Sequence, residues 1–178
     1  MIELIRKRRS MRAFTEQPVD AETVETLVEA LLRAPTSRGI NPWEFVVVDD
    51  RELIGQLATA KQHGSSFLKG APLAVVICAD STKSDVWVED CSIAAILVQM
   101  TAQSLGLGSC WIQIRKRQRD KETTSEAYIQ DLLGIPDHVK VECMIAIGHP
   151  AGSRKPLSAD ALQYDKVRHN GYAPRWDR

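Results

Sequence analysis

Apolar residues recur at Val24, Leu27, Val28, Leu31 and Leu32, the spacing of a helix that buries one face, and Asp20 stands where its N-cap belongs. Phe45 to Val48 is a short, largely β-branched run that reads as a buried strand. Asp50 then caps a helix through Leu53 and Leu57, Gln62 to Gly70 reads as a loop, and Leu73 to Ala79 is a second buried strand. The longest segment, Asp85 to Leu105, is helical with Ile93, Ala94, Ala95, Ile96, Leu97, Val98 and Met100 leaving little polar face. A helix apolar nearly all round must be covered on most sides, and in a chain of 178 residues a subunit interface gains weight as the cover. Ser109 to Ile114 forms a third strand, and Ser125 caps a helix through Leu133 that Gly134 and Pro136 end. Val139, Val141, Cys143, Ile145 and Ile147 alternate as a fourth strand. From pattern alone, helices alternating with strands suggest a doubly wound parallel sheet.

Composition removes several alternatives. With 23 basic against 23 acidic residues, no global field draws the chain to nucleic acid or to a membrane surface. No apolar run reaches bilayer length, and the start Met-Ile-Glu-Leu-Ile-Arg-Lys-Arg reverses the charge order of a secretory signal, so a cytoplasmic protein is expected. Cys78, Cys91, Cys110 and Cys143 are widely spaced and mostly sit in apolar runs, which suits reduced, structural thiols. The four histidines show no metal-ligand spacing, so no metal is expected. Arg115 to Lys121 is a basic run without interleaved aromatics and reads as a solvated loop.

Four segments carry candidate chemistry. Lys7-Arg8-Arg9-Ser10-Met11-Arg12-Ala13-Phe14 follows a short apolar helix candidate, Ile2 to Ile5, and offers guanidinium forks that suit phosphate. Ala34-Pro35-Thr36-Ser37-Arg38-Gly39-Ile40-Asn41-Pro42-Trp43 joins a helix to a strand through two prolines, a glycine and side chains that can hold backbone or ligand. Gly106-Leu107-Gly108-Ser109-Cys110-Trp111-Ile112-Gln113 lets backbone come close to something flat, though its glycines precede a strand and so form no dinucleotide fingerprint. Ile145-Ala146-Ile147-Gly148-His149-Pro150 ends a strand, with Arg154 and Lys155 just beyond.

In this order and spacing the four segments resemble the nitroreductase family of FMN-dependent oxidoreductases, and they span nearly the whole chain. The resemblance implies an α+β fold, a small mixed β-sheet flanked by helices, in an interlocked homodimer with the Asp85 to Leu105 helix at its core. It implies one FMN-binding domain over residues 1–178, with 157–178 an arm packing on the partner protomer. Arg8, Ser10 and Arg12 match positions that serve the FMN phosphate and the pyrimidine edge of the ring, with Arg9 among them as a further binding candidate; Arg154 or Lys155 matches a late basic position that reaches the phosphate. Pro35, Thr36, Ser37, Gly39 and Asn41 match the loop a second protomer lays against the flavin, with Gly39 and Asn41 standing where Asn and Gln are commoner. Trp111, Ile112 and Gln113 match the segment whose backbone N–H reaches N5, Gln113 replacing a frequent Gly. Trp43 is expected as a packing anchor.

The flavin carries hydride chemistry, so no catalytic side chain is expected. The activity implied is transfer of hydride from NADH or NADPH to a small electrophilic acceptor of nitroaromatic, quinone or enone type, by ping-pong turnover. A flavin carrier or sensor without turnover, or a flavin-destroying or dehalogenating relative, stays open alongside it; a nucleic-acid module would be colourless and salt-sensitive.

Overall fold

The computed structural model describes residues 1–175. Helix α1 (Ile2–Lys7) leads to α2 (Ala21–Leu32), β1 (Trp43–Val48), α3 (Arg51–Leu57), β2 (Leu73–Asp80), α4 (Trp87–Ser104), β3 (Gly108–Gln113), α5 (Ser125–Leu133) and β4 (Val139–Gly148). The side chains of Asp20 and Asp50 accept the Thr23 and Leu53 N–H groups, so both caps stand where the sequence put them. In α5 the cap is Thr124, one residue ahead of the expected Ser125: Thr124 has extended backbone and its hydroxyl accepts the Ala127 N–H, while Ser125 is the first helical residue.

The sheet order is β1-β2-β4-β3, and every strand pair is antiparallel. The parallel doubly wound arrangement suggested by pattern alone does not form. β2, α4 and β3 make a crossover unit whose two strands run the same way, but β4 slots between them in the opposite sense. Parallel pairing enters this mixed α+β fold through one isolated bridge among the described residues, Ser10 to Ser109.

Helices cover both faces, so the central strands β2 and β4 read as continuous apolar runs. On one face Ala74, Val76 and Cys78 pack with Ile54, Leu57 and Ile129; on the other Val75, Ile77 and Ala79 pack with Leu27, Leu31, Cys91, Ala95 and Val98. The expected alternation of β4 breaks in the middle. Val139 and Val141 share a face with Met144 and Ala146, whereas Cys143, Ile145 and Ile147 face the other way. The pairing with β2 shifts between Ile77 and Cys78, opposite Glu142, and one extra residue inverts the parity of all that follow.

All four cysteines are free and buried. Burial pushes the Cys78 thiol up to about 12 and raises Cys91 and Cys143 as well, so these act as small apolar groups. Among the described residues, no helix is long and apolar enough to cross a membrane.

Residues 157–167 are exposed, and Leu157, Leu162 and Tyr164 line a groove with Ile2 and Ile5 of α1. Of the aromatics in the expected arm, Trp176 lies outside the described residues.

Candidate flavin site

β3 is an edge strand, and its start is where the amino-terminal segment docks. The Met11 N–H donates to the Ser109 carbonyl at 2.9 Å, and a Cβ built on Gly108 would lie 2.8 Å from Met11 Cβ. Glycine at 108 is therefore what lets the arginine-bearing segment lie so close. Arg154 donates to the Ser10 carbonyl at 3.2 Å, tying the chain beyond β4 to the same spot. Two adjoining cavities of ≈ 340 and ≈ 190 Å³ open here, sharing Met11 and Arg154; Arg12 lines one and Arg9 the other. Lys155 is exposed and lines neither.

The electrostatics report the same convergence. Burial raises the Cys110 thiol, while Arg12, a Ser10 hydrogen bond, Arg8 and Arg154 pull the other way. Three guanidinium groups from two distant parts of the chain thus act on one point of β3. None of the three pairs with a carboxylate among the described residues, and Arg12 lies 5.7 Å over the Phe67 ring. An electropositive socket without its own anions is built to receive one.

Strand parity decides which β3 groups face the free edge of the sheet. The Ser109 carbonyl points away from β4, so with a period of two the N–H groups of Trp111 and Gln113 do the same. Ile114 N–H donates to the Glu142 carbonyl, which puts Ile112 on the inward set, and its side chain is buried in the core. Of the three expected ring contacts, Trp111 and Gln113 can offer an N–H at the free edge; Ile112 is spent on packing and pairing. The Gln113 side chain accepts from Trp111 Nε1 at 3.0 Å and donates toward the Arg115 and Glu142 carbonyls, so Gln113 meets a ligand through backbone.

Glu142, the bulge residue, is only 4% exposed, and its Oε2 has no hydrogen-bond partner. Its Oε1 lies 3.3 Å from Gln113 Nε2, and Arg115 is 4.0 Å away. Burial outweighs those contacts and raises its carboxyl above the usual range. A raised carboxyl contributes stability at acid pH that is lost as pH climbs through its folded value. Glu142→Gln is expected to flatten that part of a stability-versus-pH profile measured by urea unfolding; an unchanged profile would show that Glu142 does not set it.

The proline-bounded loop sits at the other end of the sheet. The Ser37 N–H donates to Oδ1 of Asp90 at 2.9 Å, and Arg38 pairs with Asp85 at 2.7 Å. Thr36 Oγ1 donates to Asn41 Oδ1 and accepts the Asn41 N–H, closing the loop on itself. Gly39 takes the positive φ expected of it, and so do Arg38 (57°) and Asn41 (52°), which a β-carbon disfavours. Trp43 stacks on Phe45 at 5.2 Å and packs against the core, as expected of an anchor.

Asp90, buried in the first turn of α4, was not singled out in the sequence; an acid in so apolar a helix was the available signal. Removing its carboxylate strands the Ser37 N–H. Asp90→Ala is expected to cost about 1–3 kcal/mol in urea unfolding, while Asp90→Asn, which keeps an acceptor, retains most of it.

The loop and the arginine socket cannot meet within one chain. The loop is tied to the start of α4 and the socket lies beyond its end, and 18 helical residues span roughly 27 Å. Along α4 an apolar stripe is left uncovered, with Ile93 38% and Ile96 44% exposed and Leu97, one turn beyond Ile93, only partly buried.

Known proteins share this fold. The sequence profile of the Nitroreductase family matches residues 5–149. The fold superposes with a TM-score of 0.95 on an FMN-dependent nitroreductase from Clostridium difficile R20291, 44% identical and covering 97% of this chain and 100% of that one. An NADPH:FMN oxidoreductase from Vibrio harveyi, solved with NAD+, matches at 26% identity and a TM-score of 0.80 over 96% of this chain and 77% of its own. An FMN reductase (NADPH) from Bacillus subtilis is 28% identical over 95% of this chain and 74% of its own length. A whole-chain match in fold and sequence, over the segments that build the socket, makes this protein a member of the nitroreductase family, an FMN-dependent NAD(P)H oxidoreductase.

Proposed function

We propose that the chain, acting as a single FMN-binding unit in a two-fold homodimer, passes hydride from NADH or NADPH to a small electrophilic acceptor of nitroaromatic, quinone or enone type in ping-pong turnover. The observation that carries this reading is the lining of two open cavities beside the start of β3 by Arg9, Arg12 and Arg154, none of which pairs with a carboxylate among the described residues. Phosphate fits that socket: two cavities lined by guanidinium groups and by backbone that only Gly108 allows so near. FMN, when bound, supplies the hydride-accepting ring.

The rest falls to this chain's residues. Arg8, Arg9, Arg12, Ser10 and Arg154 hold the phosphate end, and the Trp111 and Gln113 N–H groups present donors along the edge where the ring lies. Pro35, Thr36, Ser37, Gly39 and Asn41 close the partner's site, since their own chain's socket is out of reach. The Ile93 and Ile96 stripe supplies the apolar contact that holds two protomers together, and residues 157–178 lie as an arm on the partner. No side chain is needed as an essential acid or base.

Purified protein is expected to be yellow and to yield one FMN per protomer on extraction, and NADH or NADPH should bleach it without oxygen. Bound FMN that neither donor reduces would favour a carrier or sensor; no affinity for added FMN would end the flavoprotein reading.

A further inference from the structure

The basic run Arg115 to Lys121 is the largely exposed loop that composition suggests, and it is also pinned in shape. Ile114 and Arg115 both donate their N–H to the Glu142 carbonyl, Arg117 donates back to Ile114, and the Arg117 carbonyl accepts the Ser125 N–H. The turn is pinned to β4 on one side and to the start of α5 on the other. Lys116 sits at its crest in left-handed backbone, with φ 58°.

This turn borders a cavity of ≈ 500 Å³, a size that suits a small-molecule site. Arg115, Lys116, Arg117 and Lys140 line it, against one carboxylate, Glu126, whose Oε1 already accepts the Val141 N–H at 2.8 Å. Lys116, Arg117 and Lys140 have no carboxylate partner among the described residues. The crowding is felt nearby, where burial and then the Arg117 charge hold Lys61 below the usual lysine range. Trp87 forms a flat wall, with the Arg115 guanidinium 5.7 Å from its ring centre, and Thr124 adds a hydroxyl. Cations, a hydroxyl and an indole face describe a receptor for a phosphate group attached to a flat ring.

The cavity begins two residues beyond Gln113, whose N–H faces the free edge of β3 where the flavin is proposed to lie, and the Gln113 side chain donates to the Arg115 carbonyl. The geometry points to this cavity as the seat of the phosphorylated adenosine end of the nicotinamide donor, leaving the nicotinamide free to reach the ring. This assignment rests on the reading of the chain as a nicotinamide-driven flavoenzyme.

The test uses FMN-loaded protein, wild type and the double variant Arg117→Ala/Lys140→Ala. FMN content is measured first for both. Calorimetry with adenosine 5′-diphosphate should show one site per protomer in the wild type, weakening with added salt and about tenfold weaker in the variant. The NADPH concentration that half-saturates flavin bleaching should rise by a similar factor, and Arg117→Lys/Lys140→Arg, which keeps both charges, should restore both readings. A double variant that keeps wild-type affinity for the diphosphate and for NADPH overturns the assignment. So does loss of diphosphate binding with donor affinity intact, which would mark a site for a free nucleotide. A wild type that takes up FMN but is never bleached instead overturns the enzyme reading, and the donor site falls with it.

Discussion

Ile96→Asp is expected to part the protomers and release the flavin in one step. Ile96 is 44% exposed, and with Ile93 it forms a strip that water penalises at about 25 cal/mol per Å² until a second copy covers it. An aspartate there must either be buried without a partner or keep the interface open, and burial of an unpaired charge costs several kcal/mol. Position 96 is chosen over its neighbour because Leu97 also packs on the core of its own chain, where a charge would unfold the protomer. Sedimentation followed at protein and flavin wavelengths should show a slower, colourless species, with circular dichroism confirming that it is folded. A folded monomer that holds FMN at wild-type affinity would favour a self-contained pocket.

Arg12→Ala is expected to weaken FMN binding by ten- to hundredfold, the equivalent of roughly 1.5–3 kcal/mol for a charge-assisted contact to phosphate. Arg51→Ala serves as control. Arg51 is exposed and, among the described residues, its side chain hydrogen-bonds the Glu16 carbonyl alone, at 3.5 Å, so its loss should leave the affinity within twofold. Fluorescence titration of FMN into both apo variants reads the contrast directly. Equal affinities would mean that the arginines near the amino terminus do not form the socket.

What could be read from the sequence was local. The α2 stripe with its Asp20 cap, the Asp50 cap and the Gly134 stop follow from residues within a few positions of one another, and they stand in the fold as read. Thr124 and Ser125 are both competent caps, and only the extended backbone at Thr124 distinguishes them. The insertion of β4 between β2 and β3 was out of reach, because strand order depends on which edges meet after the chain has folded back. The bulge at Glu142 was equally hidden, for a bulge is a property of two strands in register, although a charge inside Val141 to Ile147 was its trace. The four site segments were legible as chemistry, and the resemblance already implied that the loop serves a second protomer; that the length of α4 separates loop from socket was not legible. Nor was the use of Ile112 for packing, since a strand's parity is fixed by its neighbours.

That division has a genetic consequence. In the proposed homodimer, a lesion in the socket, such as Arg12→Ala, and a lesion in the loop at the far end of α4 would harm different halves of a shared site. When two chains carrying one lesion each combine in a two-fold dimer, one site gathers both faults and the other receives none. Two alleles that are each inactive alone can therefore restore colour and turnover when expressed together, to about a quarter of the sites if the chains mix at random.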